Sequence, residues 1–195
     1  MAEVELPEPV ELREKAKDHF SKRIALVTAI FAVMLAITSL GGNNATKEMM
    51  LSQQQASDQW AFYQAKALRE HMYKVQKEAL ELQYMDRKTV MKPETVAAYE
   101  KELKSVAEDE ARFKAEKKEI EASAKKLEAV RDVNMAKDPY FDYAEVLLQI
   151  AIVLASISII ATSLPVFIVS LFAAMAGSVM CVNGFLLLFR IPFFH

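Results

Sequence analysis

Residues 146–189 read VLLQIAIVLASISIIATSLPVFIVSLFAAMAGSVMCVNGFLLLF, and none of these 44 residues is Asp, Glu, Lys, Arg or His. As one helix the segment would be about 66 Å long, roughly twice the thickness of the hydrocarbon core of a bilayer. The segment therefore predicts two membrane-spanning helices. Pro165 supplies the break between them, because proline lacks an amide donor and disfavours helix at the preceding residue. We expect the two spans at residues 144–163 and 165–189.

A second charge-free segment lies near the N-terminus, where residues 24–46 contain no ionisable side chain. Its apolar part, together with Gly41 and Gly42, is just long enough to cross a bilayer. A cleaved secretory signal peptide is the alternative interpretation. The charged tail in front of the segment and the missing small-x-small cleavage site favour a retained span. We therefore predict a first transmembrane helix at residues 24–42, after a polar tail at residues 1–23 that is mobile and stiffens toward the membrane.

Nearly all the charge of the chain lies in residues 43–137 and in the tail. This polar region contains no glycine and is rich in Ala, Glu, Lys, Gln, Leu and Met, which favours long helices. Pro93 is its one strong breaker and suits the first turn of a second helix. Helices over residues 44–90 and 94–136 would each be on the order of 65–70 Å long. Their matched lengths predict an antiparallel coiled-coil hairpin that turns at Pro93 and returns to the membrane.

Apolar residues recur in both predicted hairpin helices at alternating spacings of four and three, the pattern of a coiled coil. In the second helix Glu110 and Lys117 occupy two positions of this series, and the sequence leaves open whether they are partly solvated or paired with each other. A lone two-helix hairpin buries little apolar surface, so we expect copies of the chain to pack side by side. The first series is Ala61, Ala65, Leu68, Met72, Val75, Ala79 and Leu82, and the second is Val96, Tyr99, Leu103, Val106, Phe113, Ile120, Ala124 and Leu127.

Composition and motifs argue against a catalytic or cofactor site. The formal net charge of −2 offers no basic surface for nucleic acid. The one cysteine, Cys181, lies in an apolar segment and can form neither an intrachain disulfide nor a multi-cysteine metal site. His19, His71 and His195 are far apart in the sequence, and neither a nucleophile elbow nor a glycine-rich phosphate loop is present. We expect no catalytic residue, cofactor, metal or nucleic-acid partner, and we do not predict an enzyme.

Small residues form three stripes on the predicted spans, and such stripes let helices approach closely in lipid. Packing within one subunit would use one or two stripes, which leaves a surface for contacts between subunits. We expect Asn183 to form hydrogen bonds between helices. The spans contain no ionisable residue, which argues against a pump, but a pore lined by groups such as Asn183 and Ser170 is an alternative. The stripes are Ala25, Ala29, Ala32 and Ala36; Ala151, Ala155, Ser158 and Thr162; and Ser170, Ala174, Gly177, Cys181 and Gly184.

The segment ASDQWAFYQAK at residues 56–66 contains the only tryptophan of the chain and lies close to the first predicted span. Its side chains Asp58, Trp60, Phe62 and Tyr63 suit packing between neighbouring subunits or contact with lipid headgroups. Catalysis by Asp58 alone would require a base, nucleophile or metal partner that the sequence does not offer. Our candidates for oligomer or partner packing are these four side chains together with Ala174, Gly177, Asn183 and Gly184.

The segment at residues 56–66, the turn GGNNA at residues 41–45 and the order of spans resemble the bacterial membrane protein family catalogued as domain of unknown function 4337. The resemblance covers essentially the whole chain. It implies a multi-pass protein of the bacterial inner membrane and brings no activity with it. Members often begin with a tail rich in His and acidic residues. This chain has only His19 there, so no metal role of the tail is carried over.

Five basic residues precede the first span and four lie near the far ends of the spans, so the positive-inside rule favours a cytoplasmic N-terminus and an extracytoplasmic hairpin. We expect a structural or scaffolding protein that forms a homo-oligomer, contacts membrane lipid and can offer its hairpin to a protein partner. An oligomeric channel or pore and an accessory subunit of a larger membrane complex are the alternatives.

Overall fold

The computed structural model describes residues 9–189, with side chains from residue 17 onward. This part of the chain consists of three helices: α1 (Pro9–Arg87), α2 (Pro93–Ala161) and α3 (Leu164–Leu186). No strand occurs among the described residues, which confirms the predicted all-helical class. The first eight residues of the predicted polar tail, and His195, lie outside the described residues.

Helix α1 is one helix of 79 residues, where the sequence predicts a tail, a span and a separate hairpin helix. It continues through Gly41 and Gly42, although glycine inside a helix costs about 1 kcal/mol relative to alanine. Packing offsets this cost, because the ring of Phe141 from α2 lies against both glycines. Helix α2 likewise continues through Pro139, where the sequence predicts the entry to the second span.

The chain breaks next to Pro165. Helix α2 ends at Ala161, Thr162 has a left-handed backbone with φ of 48°, and α3 begins at Leu164 with the proline in its first turn. Proline is favoured there because the first turn has no partner for the missing amide donor. Each of the three helices contains a segment that is long and apolar enough to cross a membrane, with a mean hydropathy of 2.2 to 2.4.

The described chain divides into two compact units, of which the first is the chain up to Glu48 and from Val133 onward. In this unit the second and third small-residue stripes are largely buried, whereas the first stripe is exposed. The close approach of α2 to its neighbours therefore uses two of the three stripes within one chain. Buried members of the core are Ile24, Phe31, Leu148, Ala151, Ala155, Ser158, Ser170 and Ala174, and the exposed stripe is Ala25, Ala29, Ala32 and Ala36.

The second unit is Met49–Asp132. Here α1 and α2 contact each other in opposite order, so that residues later in α1 meet residues earlier in α2. The contacts combine aromatic stacking with hydrogen bonds between side chains. They include Trp60 with Glu128, Tyr73 with Phe113 and Tyr84 with Tyr99.

Glu110 and Lys117 each pair with a charge on α1, so the alternative that they pair with each other is wrong. The Nζ of Lys77 lies 3.1 Å from Oε2 of Glu110, and Lys117 pairs with Glu70. The side chains of these four residues are between 18% and 34% exposed. They are therefore partly solvated and paired at once. The hydrogen bonds to Glu110 and Glu70 raise the pKa values of Lys77 and Lys117, respectively.

The two apolar heptad series have different environments. The series on α2 is buried or half-buried, with Val106 at 3%, Phe113 at 6% and Ala124 at 0% exposure. The series on α1 is exposed, with Leu68 at 62% and Leu82 at 68%. The expectation that the α1 series packs on the second helix of the same chain is therefore wrong.

The face of α1 that meets α2 is a different one. Its members follow the exposed series by two residues, which is a rotation of about 200° around the helix, so the two faces lie on nearly opposite sides. This polar and aromatic face matches the carboxylates, ammonium groups and rings of α2, and that match explains why it packs there. The half-buried residues are Tyr63, Glu70, Lys77 and Tyr84.

Candidate functional site

The four candidates near residue 60 divide between two faces of α1. The Nε1 of Trp60 donates a hydrogen bond of 2.9 Å to Oε1 of Glu128, and the Trp60 and Tyr63 rings meet edge to face at 5.3 Å. These two aromatic residues therefore pack within the chain. Phe62 is 58% exposed and Asp58, also exposed, accepts a hydrogen bond of 3.2 Å from Nε2 of Gln54.

Ala174, Gly177 and Gly184 of α3 are buried inside the first unit. A Cβ added at Gly177 would lie 3.1 Å from the carbonyl oxygen of Ala144 and from Cγ of Leu148, so this glycine permits close contact between α3 and α2. The three residues thus serve packing within one chain in this structure.

Asn183 holds the C-terminal end of α3. Its Nδ2 donates to the carbonyl oxygen of Phe189 at 2.9 Å, and its Oδ1 accepts from the Phe189 amide at 3.1 Å. The amide of Leu187, which has a left-handed backbone, donates to the Asn183 carbonyl oxygen at 2.7 Å. Both polar atoms of the side chain therefore bind the segment that follows α3, where the sequence predicts a bond between helices.

Phe141 is the most tightly enclosed aromatic residue that the sequence reading missed as a packing residue. It was expected at a membrane interface, but it is only 3% exposed. A Cβ at Gly41 would lie 2.6 Å from its Cε1, and one at Gly184 would lie 3.0 Å from the same atom. The Phe185 ring meets it edge to face at 4.9 Å. The GGNNA turn therefore contains two glycines because the Phe141 ring leaves no room for side chains.

An open cavity of about 300 Å³ lies against this aromatic group, in the first unit. Its floor is apolar, whereas its remaining lining carries two amides, one carboxylate and one ammonium group. Glu48 and Lys137 both line it, and within the described chain neither forms an ion pair. The lining residues are Gly41, Asn44, Ala45, Glu48, Asn134, Lys137, Phe141, Gly184 and Phe185.

Acidic groups dominate the neighbourhood of this cavity on α2. Asp138 accepts a hydrogen bond of 2.7 Å from Oγ1 of Thr46. Burial raises the pKa of Asp142, and the carboxylates of Asp138 and Glu145 raise it further. A second open cavity, of about 490 Å³, is lined almost wholly by apolar side chains of α1 and α3, such as Phe31 and Phe172.

Among the described residues no group of three His, Cys, Asp or Glu side chains is placed to hold a metal ion. No buried polar side-chain atom in this part of the chain is left without a hydrogen bond. Glu48 and Lys137 are the site residues that sequence reasoning missed, since residues so far apart in the chain give no spacing signal.

The family model of a domain of unknown function, DUF4337, matches residues 20–187 of the chain. No curated protein and no solved structure shows a significant match.

Proposed function

The chain belongs to the family of the domain of unknown function DUF4337, and on this premise we propose that it is a homo-oligomeric membrane scaffold. In this proposal three helical segments cross the bacterial inner membrane. The polar parts of α1 and α2 form an antiparallel coiled-coil hairpin, which acts as the element through which copies assemble and partners dock. The apolar segments in all three helices support the membrane assignment.

The observation that carries this proposal is the exposed apolar face of α1 in the second unit. Water-exposed apolar patches of this size mark interaction sites in soluble regions of proteins. The large apolar side chains exposed in this unit lie almost entirely on one helix: Met50, Leu51, Phe62, Leu68, Met72, Val75, Leu82 and Met85 on α1, Val90 between the helices, and Val130 on α2.

The amount of exposed surface is sufficient for a stable contact. From Phe62 to Met85, the six large apolar side chains of this face are each between 49% and 69% exposed. Together they expose on the order of 600 Å² of apolar surface, close to the roughly 800 Å² that each partner contributes to a standard interface. Because the face lies opposite the side that packs on α2, a partner can bind it without disturbing the contacts within the chain.

A second copy of the chain fits this face. Copies inserted the same way in one membrane are related by an axis along the membrane normal, so their α1 helices run in the same direction. In a parallel pair with this heptad register, the flanking positions bring together Gln64 with Arg69, His71 with Gln76, and Glu78 with Gln83. None of these pairs joins like charges.

Disulfide formation between copies tests the proposal. We expect Ala65→Cys and Ala79→Cys, both on the exposed face, to give crosslinked dimers in native membranes under mild oxidation. The exposed residues Ala111 and Ala115 of α2 are matched controls, and their cysteine variants should crosslink at about one-tenth of that yield or less. The native thiol Cys181 is buried and is common to all four variants.

Mass measurement of the purified protein in lipid nanodiscs completes the test. An oligomer with crosslinks on α1 supports the proposal, and a monomer at micromolar concentration would refute it. The pore alternative has less support, because the side chains of Ser170 and Asn183 bind backbone groups of their own chain.

A further inference from the structure

The cavity beside Phe141 combines two chemical environments. Gly41, Gly184 and the rings of Phe141 and Phe185 form an apolar part, and Glu48 and Lys137 contribute one negative and one positive charge. The two charged groups do not form an ion pair with each other. An opening of this kind suits an amphiphile that carries both charges on its polar end.

The position of the cavity along the chain agrees with this chemistry. Glu48 follows the charge-free segment of α1, and Lys137 precedes that of α2. On the proposed membrane insertion, on which this inference rests, both residues lie at the level of lipid headgroups. Aromatic residues and the stems of lysine side chains are common at that depth.

We propose that this cavity binds the phosphoethanolamine headgroup of a membrane phospholipid. The Lys137 ammonium pairs with the phosphate, and the Glu48 carboxylate accepts hydrogen bonds from the primary ammonium group. The Asn44 amide provides a further polar contact, and the glycerol region lies against Phe141 and the glycines. Charge-assisted hydrogen bonds of this type are the strong ones in proteins.

The surrounding charges favour this headgroup over other lipids. Asp138, Asp142 and Glu145 add negative charge near the cavity, which disfavours a purely anionic headgroup such as phosphatidylglycerol. The choline headgroup has the same net charge as ethanolamine but no N–H donor, so it cannot form hydrogen bonds with Glu48.

Native mass spectrometry of the full-length chain with added lipid tests this assignment. We expect phosphatidylethanolamine to be retained about tenfold more than phosphatidylcholine or phosphatidylglycerol, the effect of one charge-assisted hydrogen bond or ion pair. Lys137→Gln and Glu48→Gln should each remove this preference. Lys47→Gln is the matched control, because Lys47 neighbours Glu48 but does not line the cavity.

Other outcomes overturn the assignment. Equal retention of the three lipids by the wild-type chain would do so without any variant, and circular dichroism of each variant shows whether it is folded. Displacement of the lipid by soluble glycerophosphoethanolamine at equal concentration would assign the cavity to a free phosphodiester instead. Alkaline extraction of membranes separates the two proposals: a chain released as soluble protein contradicts the membrane scaffold, whereas an inserted chain without lipid preference contradicts only this inference.

Discussion

Phe141 shows how single residues determine the packing of this chain. The ring is enclosed by glycines of α1 and α3 and by the Phe185 ring. Glycine is used here because of space, since both helical glycines of α1 have ordinary backbone angles. The sequence reveals the glycines within apolar segments. It does not reveal their partner, because residues 41, 141 and 184 meet only after three helices have packed.

We expect Gly41→Ala to destabilise the fold. The added Cβ would lie 2.6 Å from Cε1 of Phe141 and 2.8 Å from Cζ of Phe185, so a ring or a helix must move. Overpacking of this kind costs about 1–3 kcal/mol, partly offset by the higher helix propensity of alanine. Thermal unfolding in detergent, followed by circular dichroism, measures the difference.

Gly42→Ala is the control for this change. Its Cβ would approach Cβ of Phe141 to only 3.1 Å, a distance that small shifts relieve. We expect its midpoint to stay close to that of the wild type. Equal stability of Gly41→Ala and the wild type would show that the Phe141 contact is not tight.

At the scale of elements, α1 has two faces with different partners. Its periodicity correctly identifies an apolar heptad series, and the same analysis of α2 identifies residues that are buried. Periodicity reports the spacing of apolar side chains but not what covers them. The face of α1 that packs on α2 is polar and aromatic, and its ion pairs come from residues that are roughly 30 to 50 positions apart in the chain.

The pair of Lys66 and Glu116 predicts a pH dependence of this contact. The hydrogen bond from Lys66 lowers the pKa of Glu116 below its ordinary value of 4.5. A carboxylate with a lowered pKa stabilises the folded state above pH 4.5, and this contribution disappears as the pH falls through the folded-state pKa. We expect the wild type to be more stable than Glu116→Gln at neutral pH and equal to it in strong acid.

Urea unfolding of both proteins between pH 3 and pH 7 measures this difference. Glu119→Gln, at an exposed position on α2, controls for the general effect of removing a negative charge. A stability gap between wild type and Glu116→Gln that is constant with pH would contradict the role of the ion pair.

At the scale of the whole molecule, the exposed apolar residues follow the division into units. In the first unit they occur on all three helices, as lipid-facing helices require. In the second unit they are concentrated on α1. The charge-free segments of the sequence anticipate the first pattern. The second depends on which side of α1 meets α2, and no property of α1 alone determines that.

Topology is the prediction that belongs to this scale. With a cytoplasmic N-terminus, Ala115→Cys on the exposed side of α2 should react with a membrane-impermeant maleimide in intact spheroplasts. The wild-type chain is the control, because its Cys181 is buried. Labelling of Ala115→Cys only after permeabilisation would place the hairpin in the cytoplasm and reverse the orientation.

The bond between Trp60 and Glu128 gives this chain a built-in optical reporter. Trp60 is the only tryptophan, and its indole N–H is engaged by a side chain of the opposite helix. The intrinsic fluorescence of the intact protein therefore comes largely from one position at the contact of α1 with α2. Separation of the two helices would expose the indole to water and shift its emission to longer wavelength, so opening of the hairpin can be followed in real time without an attached dye.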